Sequence, residues 1–180
     1  CTLGLGGHTR ALLDHGADAN AADNTKRTPL MSLDSDATSA LVDRLIRAGA
    51  RAAARDEDGS SVLMQTIGNI DADVLNALIK AGADINDADE EGETPLMKAV
   101  DANDLELVKI LVEAGAKVNE KDKSGESAWD KSSNTEIEKF LEMHGAVAEH
   151  GTVEVIVPAT ANDEDVPAGE AESNNARSVQ

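Results

Sequence analysis

The side chains best suited to chemistry are few in this chain of 180 residues: one cysteine, Cys1, and four histidines, His8, His15, His144 and His150. Nucleophilic catalysis and metal binding both draw on these residue types, and both need them at set spacings. Neither Cys-x2-Cys nor His-Glu-x-x-His occurs. His15 and His144 each stand just before a glycine that ends a helical pattern, where a cation complements the helix dipole, which is a structural role. Asp87-Ala88-Asp89-Glu90-Glu91-Gly92 imitates the opening of a calcium loop. Such a loop needs a bidentate glutamate at its twelfth place, which here is Lys98, and Pro95 and Leu96 interrupt it. Gly4-Leu5-Gly6-Gly7 lacks the Gly-x-x-x-x-Gly-Lys of a phosphate cradle. No catalysis, cofactor or metal is expected.

What remains is charge. The net charge is −19, and it is unevenly spread. Residues 1–55 hold seven Lys/Arg against six Asp/Glu, whereas residues 56–122 hold five against seventeen. Nucleic acid is disfavoured as a partner, because phosphate contact needs clustered Lys and Arg. A basic protein would be steered by such a field. Ordinary solubility explains an acidic surface equally well. Arg44, Arg47, Arg51 and Arg55 form a smaller basic group, expected to pair with neighbouring acids.

The elements that carry these charges are set by one number. Gly16, Gly49, Gly82 and Gly115 are spaced by 33 residues, and so are Asp23, Asp56, Asp89 and Asp122. A fixed period of this size means stacked repeats. In the fullest copy, Thr94 is expected to cap a short first helix, with Pro95 at its first position and Leu96 and Met97 opening its buried face. Thr28-Pro29-Leu30-Met31 repeats this, and Ser61-Val62-Leu63-Met64 and Ser127-Ala128-Trp129-Asp130 repeat it more loosely. Leu105, Val108, Ile110, Leu111 and Val112 mark the buried stripe of a second helix. Glycine closes it in the left-handed region. A polar, turn-rich stretch then leads to the next Asp-x-x-Gly, as a hairpin-like loop.

The Gly-x-Thr-Pro-Leu core and the closing Gly-Ala-Asp-x-Asn resemble the ankyrin repeat over about residues 1–146. The resemblance implies a mainly α solenoid of helix–turn–helix units joined by β-hairpin-like loops. The units read as a partial copy at 1–22, full copies at 23–55, 56–88 and 89–121, and a terminal cap at 122–150. It further implies a non-catalytic scaffold that binds a protein partner through hairpin tips and the concave inner-helix face. On that basis Glu57, Asp58, Glu90, Glu91, Glu93 and Asp101 are the expected partner-binding residues. Two departures stand out. The family usually has histidine after Thr-Pro-Leu, bonded to the threonine, and here Met31, Met64 and Met97 take that place, so a softer inner row is expected. Lys26 replaces the glycine found at Gly59, Gly92 and Gly125, which puts the first full hairpin in question.

In the terminal copy, a polar inner helix is expected over Ala128–Ser133. Ser133 or Thr135 is expected to cap the outer helix in a capping box with Glu136 or Glu138, and Trp129 is expected to pack on Phe140. Residues 151–180 are too polar for a core and read as an acidic, disordered tail, with weak strand alternation over Thr152–Val157. Repeat sequence begins almost at once, with Gly7–Leu13 read as a second helix. The first unit is therefore expected to be cut from a longer chain. Two alternatives stand beside the scaffold reading: the targeting module of a longer enzyme, or an envelope protein lipidated at Cys1. With no membrane span, a cytoplasmic monomer is the leading expectation, and a periplasmic or anchored form is the other.

Overall fold

A computed structural model describes residues 15–147. The expectations for Cys1, His8, Gly7–Leu13, His150 and the tail lie outside that range. The first inner element is a 3-10 helix, Pro29–Ser32, followed by helices α1 (Ser39–Arg47), α2 (Val62–Thr66), α3 (Ala72–Lys80), α4 (Pro95–Asp101), α5 (Leu105–Glu113) and α6 (Thr135–Met143). They form two layers. The 3-10 helix, α2 and α4 stack in order as the inner row, and α1, α3, α5 and α6 stack as the outer row.

The period appears directly as columns of buried side chains. Leu30, Leu63 and Leu96 run through the inner row at 1% exposure or less, and Leu45, Leu78, Leu111 and Leu141 do the same in the outer row. Val42, Leu75 and Val108 form a third column. Each fully buried leucine contributes about 1.5–3 kcal/mol by leaving water. None of these helices exceeds nine residues, too short to persist alone, so the columns hold them in place. The α5 stripe falls slightly off the expected set: Leu107, Val108 and Leu111 are buried, while Leu105, Ile110 and Val112 are only partly so.

Each outer helix ends the same way. Gly49, Gly82, Gly115 and Gly145 have φ between 89° and 102°. The alanine after each donates back to the carbonyl of Leu45, Leu78, Leu111 or Leu141 at 2.9–3.1 Å. This is the six-to-one bond of a Schellman close, which satisfies carbonyls that the helix end leaves over.

The hairpins explain the aspartate ladder. Oδ1 of Asp23, Asp56, Asp89 and Asp122 accepts from the amides two and four residues ahead, at 2.8–3.1 Å. One carboxylate thus fixes one turn. Lys26 does not disrupt its hairpin: it takes φ 61°, in line with 74°, 79° and 83° at Gly59, Gly92 and Gly125. The Asp23 contacts impose the turn, and the lysine backbone carries the strain.

Three local expectations are corrected. Ala128–Ser133 forms a turn, not a helix, because Oδ2 of Asp130 accepts from both the amide and the hydroxyl of Ser127. Short polar side chains there compete for the backbone groups a helix would use. The cap of α6 is Asn134, whose side chain accepts from the Glu136 amide at 2.9 Å. The ring partner of Phe140 is His144, with centroids 4.2 Å apart, while Trp129 donates its indole N–H to Glu142 at 3.2 Å. His144 Nδ1 also meets the Phe140 carbonyl at 2.8 Å, at the C-terminal end of α6.

Candidate functional site

Successive hairpins are tied together at their tips. The amide of Glu57 donates to the Thr25 carbonyl at 2.9 Å, Glu90 to Asp58 at 3.2 Å, and Lys123 to Glu91 at 2.9 Å. These backbone bonds leave the tip side chains projecting. Glu57, Asp58, Glu90 and Glu91 are all exposed. The structure therefore brings four of the six expected contact residues into one row over two neighbouring tips.

The other two stand apart. Asp101 is exposed but is the last residue of α4, roughly 10 Å along that helix from its cap at 1.5 Å per residue. Glu93 is turned inward and already paired. It bonds Lys98 of its own repeat and Lys131 of the next, the latter at 3.1 Å. Lys131 also reaches Asp122 at 2.8 Å, and only 14% of the lysine side chain is exposed. The ion pairs have the expected electrostatic effect. Lys98 first, then Lys131, holds the Glu93 carboxyl below its usual range, and Lys131 does the same for Asp122. Those two acids in turn raise the Lys131 ammonium.

Lys98 and Lys131 belong to no motif that sequence reasoning picks out, although the signal is there. Ser32, Gln65, Lys98 and Lys131 form one column at the 33-residue period, facing the column Arg27, Ser60, Glu93 and Glu126. The same geometry recurs with other chemistry at the start of the stack, where Arg27 donates to Gln65, and Gln65 donates to Asp56 at 2.8 Å. The inner-row face is thus threaded by side chains that pair across repeats, although Arg27 Nε has no partner among the described residues. The tip acids Glu57, Asp58, Glu90 and Glu91 are not paired in this way.

The threonine caps divide in a similar way. Thr94 Oγ1 and Ser61 Oγ each accept from the amide three residues on, at 3.4 Å. Thr28 makes no such bond, and its buried hydroxyl has no partner. Met31, Met64 and Met97 are all buried, so the apolar packing is kept where the family's histidine would have added a polar link. Among the basic group, Arg47 lies 3.8 Å from Asp43, and Arg55 pairs with the buried Asp87.

The calcium-like stretch is committed elsewhere: Asp87 holds Arg55, and Asp89 holds its own hairpin. Among the described residues, no group of three or more His, Cys, Asp or Glu gathers in a way that could hold a metal ion. Nor is any described helix long and apolar enough to cross a membrane.

Comparison with known proteins agrees with this architecture. Residues 34–122 match the family model described as ankyrin repeats, in three copies. No curated protein matches the chain. Ankyrin repeats generally mediate protein–protein interaction and are typically non-catalytic. The matched stretch runs from just after the first inner helix to the fourth hairpin aspartate, so it takes in α1 to α5, the closing glycines Gly49, Gly82 and Gly115, and the hairpin aspartates Asp56, Asp89 and Asp122. The chain belongs to the ankyrin-repeat family.

Proposed function

We propose that this protein is a monomeric scaffold that binds a basic protein partner along its hairpin tips. The observation that carries the reading is the row of four exposed acids, Glu57, Asp58, Glu90 and Glu91, held on backbone-bonded tips. A rigid, pre-ordered row loses little entropy on binding, which is where much affinity is otherwise spent. Complementary charge mainly raises the association rate and excludes wrong partners. Asp101 extends the acidic surface along the end of α4. Glu93 contributes as a support whose charge two lysines already balance.

The test is affinity capture from lysate of the source cell with the native chain, and with Glu57, Asp58, Glu90 and Glu91 all changed to lysine. Exposed charges contribute little to stability, so both proteins should unfold at similar temperatures. A basic protein held by the native chain and lost from the variant is the expected result. Equal capture by both would overturn the reading.

A further inference from the structure

Three joints of the stack are closed by the same asparagine. Asn20 donates its Nδ2 to the Gly49 carbonyl at 2.7 Å and accepts from the Arg51 amide at 2.9 Å. Asn86 does this to Gly115 and Lys117 at 3.2 and 2.8 Å, and Asn119 to Gly145 and Val147 at 2.8 and 3.0 Å. Each asparagine thus links the end of one repeat to the helix close of the next with two neutral hydrogen bonds.

The equivalent position between residues 23–55 and 56–88 is Ala53. Its methyl group can neither donate nor accept. Two residues on, Arg55 spans the same joint. Its Nη1 donates to the Ala88 carbonyl at 2.8 Å and to Gly59 at 2.8 Å, and its Nη2 pairs with Asp87. The Asp87 side chain is 8% exposed, against 47% for Arg55. At the other three joints the residues matching Arg55 are Ala22, Ala88 and Lys121, so this arginine clasp has no counterpart at Ala22 or Ala88.

We propose that the joint between residues 23–55 and 56–88 is an ionic hinge of the solenoid, where the stack uncouples when the Arg55–Asp87 clasp is removed. In a stack, stability is a sum of repeat terms and nearest-neighbour joint terms, so weakening one joint releases one side of it. The joint lies directly beside the tip of Glu57 and Asp58. Its opening would set the separation between that tip and the preceding one, independently of whether a basic partner binds there.

The test is native-state hydrogen exchange on the full chain, comparing the native protein with a variant carrying Arg55→Ala and Asp87→Asn. Changing both avoids leaving a buried carboxylate unpaired. Amides of α1 should exchange about tenfold faster or more, the loss expected for bonds to a charged group. Those of α3 and α5 should stay within about twofold of the native rates. Adding Ala53→Asn to that variant should restore most of the α1 protection by supplying the asparagine link. The hinge is refuted if α1, α3 and α5 accelerate together, or if Ala53→Asn restores nothing. Should the double variant fail to fold, the milder pair Arg55→Gln with Asp87→Asn, with and without Ala53→Asn, gives the same two outcomes.

Discussion

The first and third full repeats share the tetrapeptide Thr-Pro-Leu-Met, yet they build different structures from it. Thr94–Met97 opens a seven-residue α-helix, with Thr94 accepting from the Met97 amide. Thr28–Met31 opens only a four-residue 3-10 helix, and its threonine caps nothing. The motif is the same, so the cause lies in the residues downstream of it. After Met97 come Lys98, Ala99 and Val100, of which the alanine and the lysine are good helix formers. After Met31 come Ser32, Leu33 and Asp34, and Asp34 draws the Asp36 amide to its side chain at 3.2 Å and the Ala37 amide to its carbonyl at 2.9 Å. The backbone groups that would extend the helix are taken by a turn. A local ion pair adds to the contrast, since Lys98 is anchored by Glu93 of the same repeat. A repeat motif starts a helix, and its downstream neighbours decide how far the helix runs.

The strongest challenge to this comparison is to empty the same core position in both repeats. Leu30 and Leu96 are each essentially buried. Leu96→Ala should cost about 3–4 kcal/mol and Leu30→Ala nearer to about 2 kcal/mol, because the looser first repeat can relax around the cavity. Chemical denaturation measures both. Equal losses would mean that the first repeat is packed as firmly as the third.

The hairpins sharpen it next, with opposite signs. A Cβ at Gly92 would meet Asp122 Cα and Lys123 N at 3.2 Å, on a backbone with φ 79°. Gly92→Ala should therefore destabilise by about 2 kcal/mol, from left-handed strain plus a contact that backbone atoms cannot relieve. Lys26→Gly removes the same kind of strain and should stabilise by roughly 0.5–1 kcal/mol after the entropy cost of glycine. A shift in thermal midpoint reports each sign. A destabilised Lys26→Gly protein would show that the φ of 61° carries no strain.

A smaller effect concerns acid. Glu93 and Asp122 have carboxyls lowered by Lys98 and Lys131, and by Lys131, respectively. A lowered folded-state value adds stability that is present above the unfolded carboxyl range, near about pH 4, and is lost as pH falls through the folded value. The denaturation midpoint should thus drop between about pH 5 and about pH 3. In Lys131→Met the starting midpoint should be lower and that drop shallower. An unchanged acid slope would show that Lys131 does not couple these repeats.

Much of this fold is legible in the sequence because the period fixes the stack. The glycine ladder locates the helix ends, the aspartate ladder locates the hairpins, and Thr94-Pro95 locates an inner helix. Less legible is anything decided by competition for backbone groups. Asp130 and Ser127 turn the expected helix at Ala128–Ser133 into a turn, and Asn134 displaces Ser133 and Thr135 as the cap. For the candidate face, composition identifies the acids but not which of them are already neutralised. Glu90, Glu91 and Glu93 look alike in one hairpin, and it is Lys98 in the same repeat and Lys131, 38 residues later, that separate Glu93 from the other two. The two facing columns at the repeat period are where that pairing is written.

The same separation gives the most direct test of the central claim, that unpaired tip acids form the binding surface. The measurement is calorimetric affinity of a captured basic partner for the native chain, for Glu90→Lys with Glu91→Lys, and for Glu93→Gln. Binding at the tips predicts at least a roughly tenfold loss for the tip pair, about 1.4 kcal/mol. For Glu93→Gln it predicts a change of less than about threefold, close to the scale of about 0.2–1 kcal/mol for weakly contributing charges. Unchanged affinity in the tip variant, or a larger loss in Glu93→Gln, would contradict it.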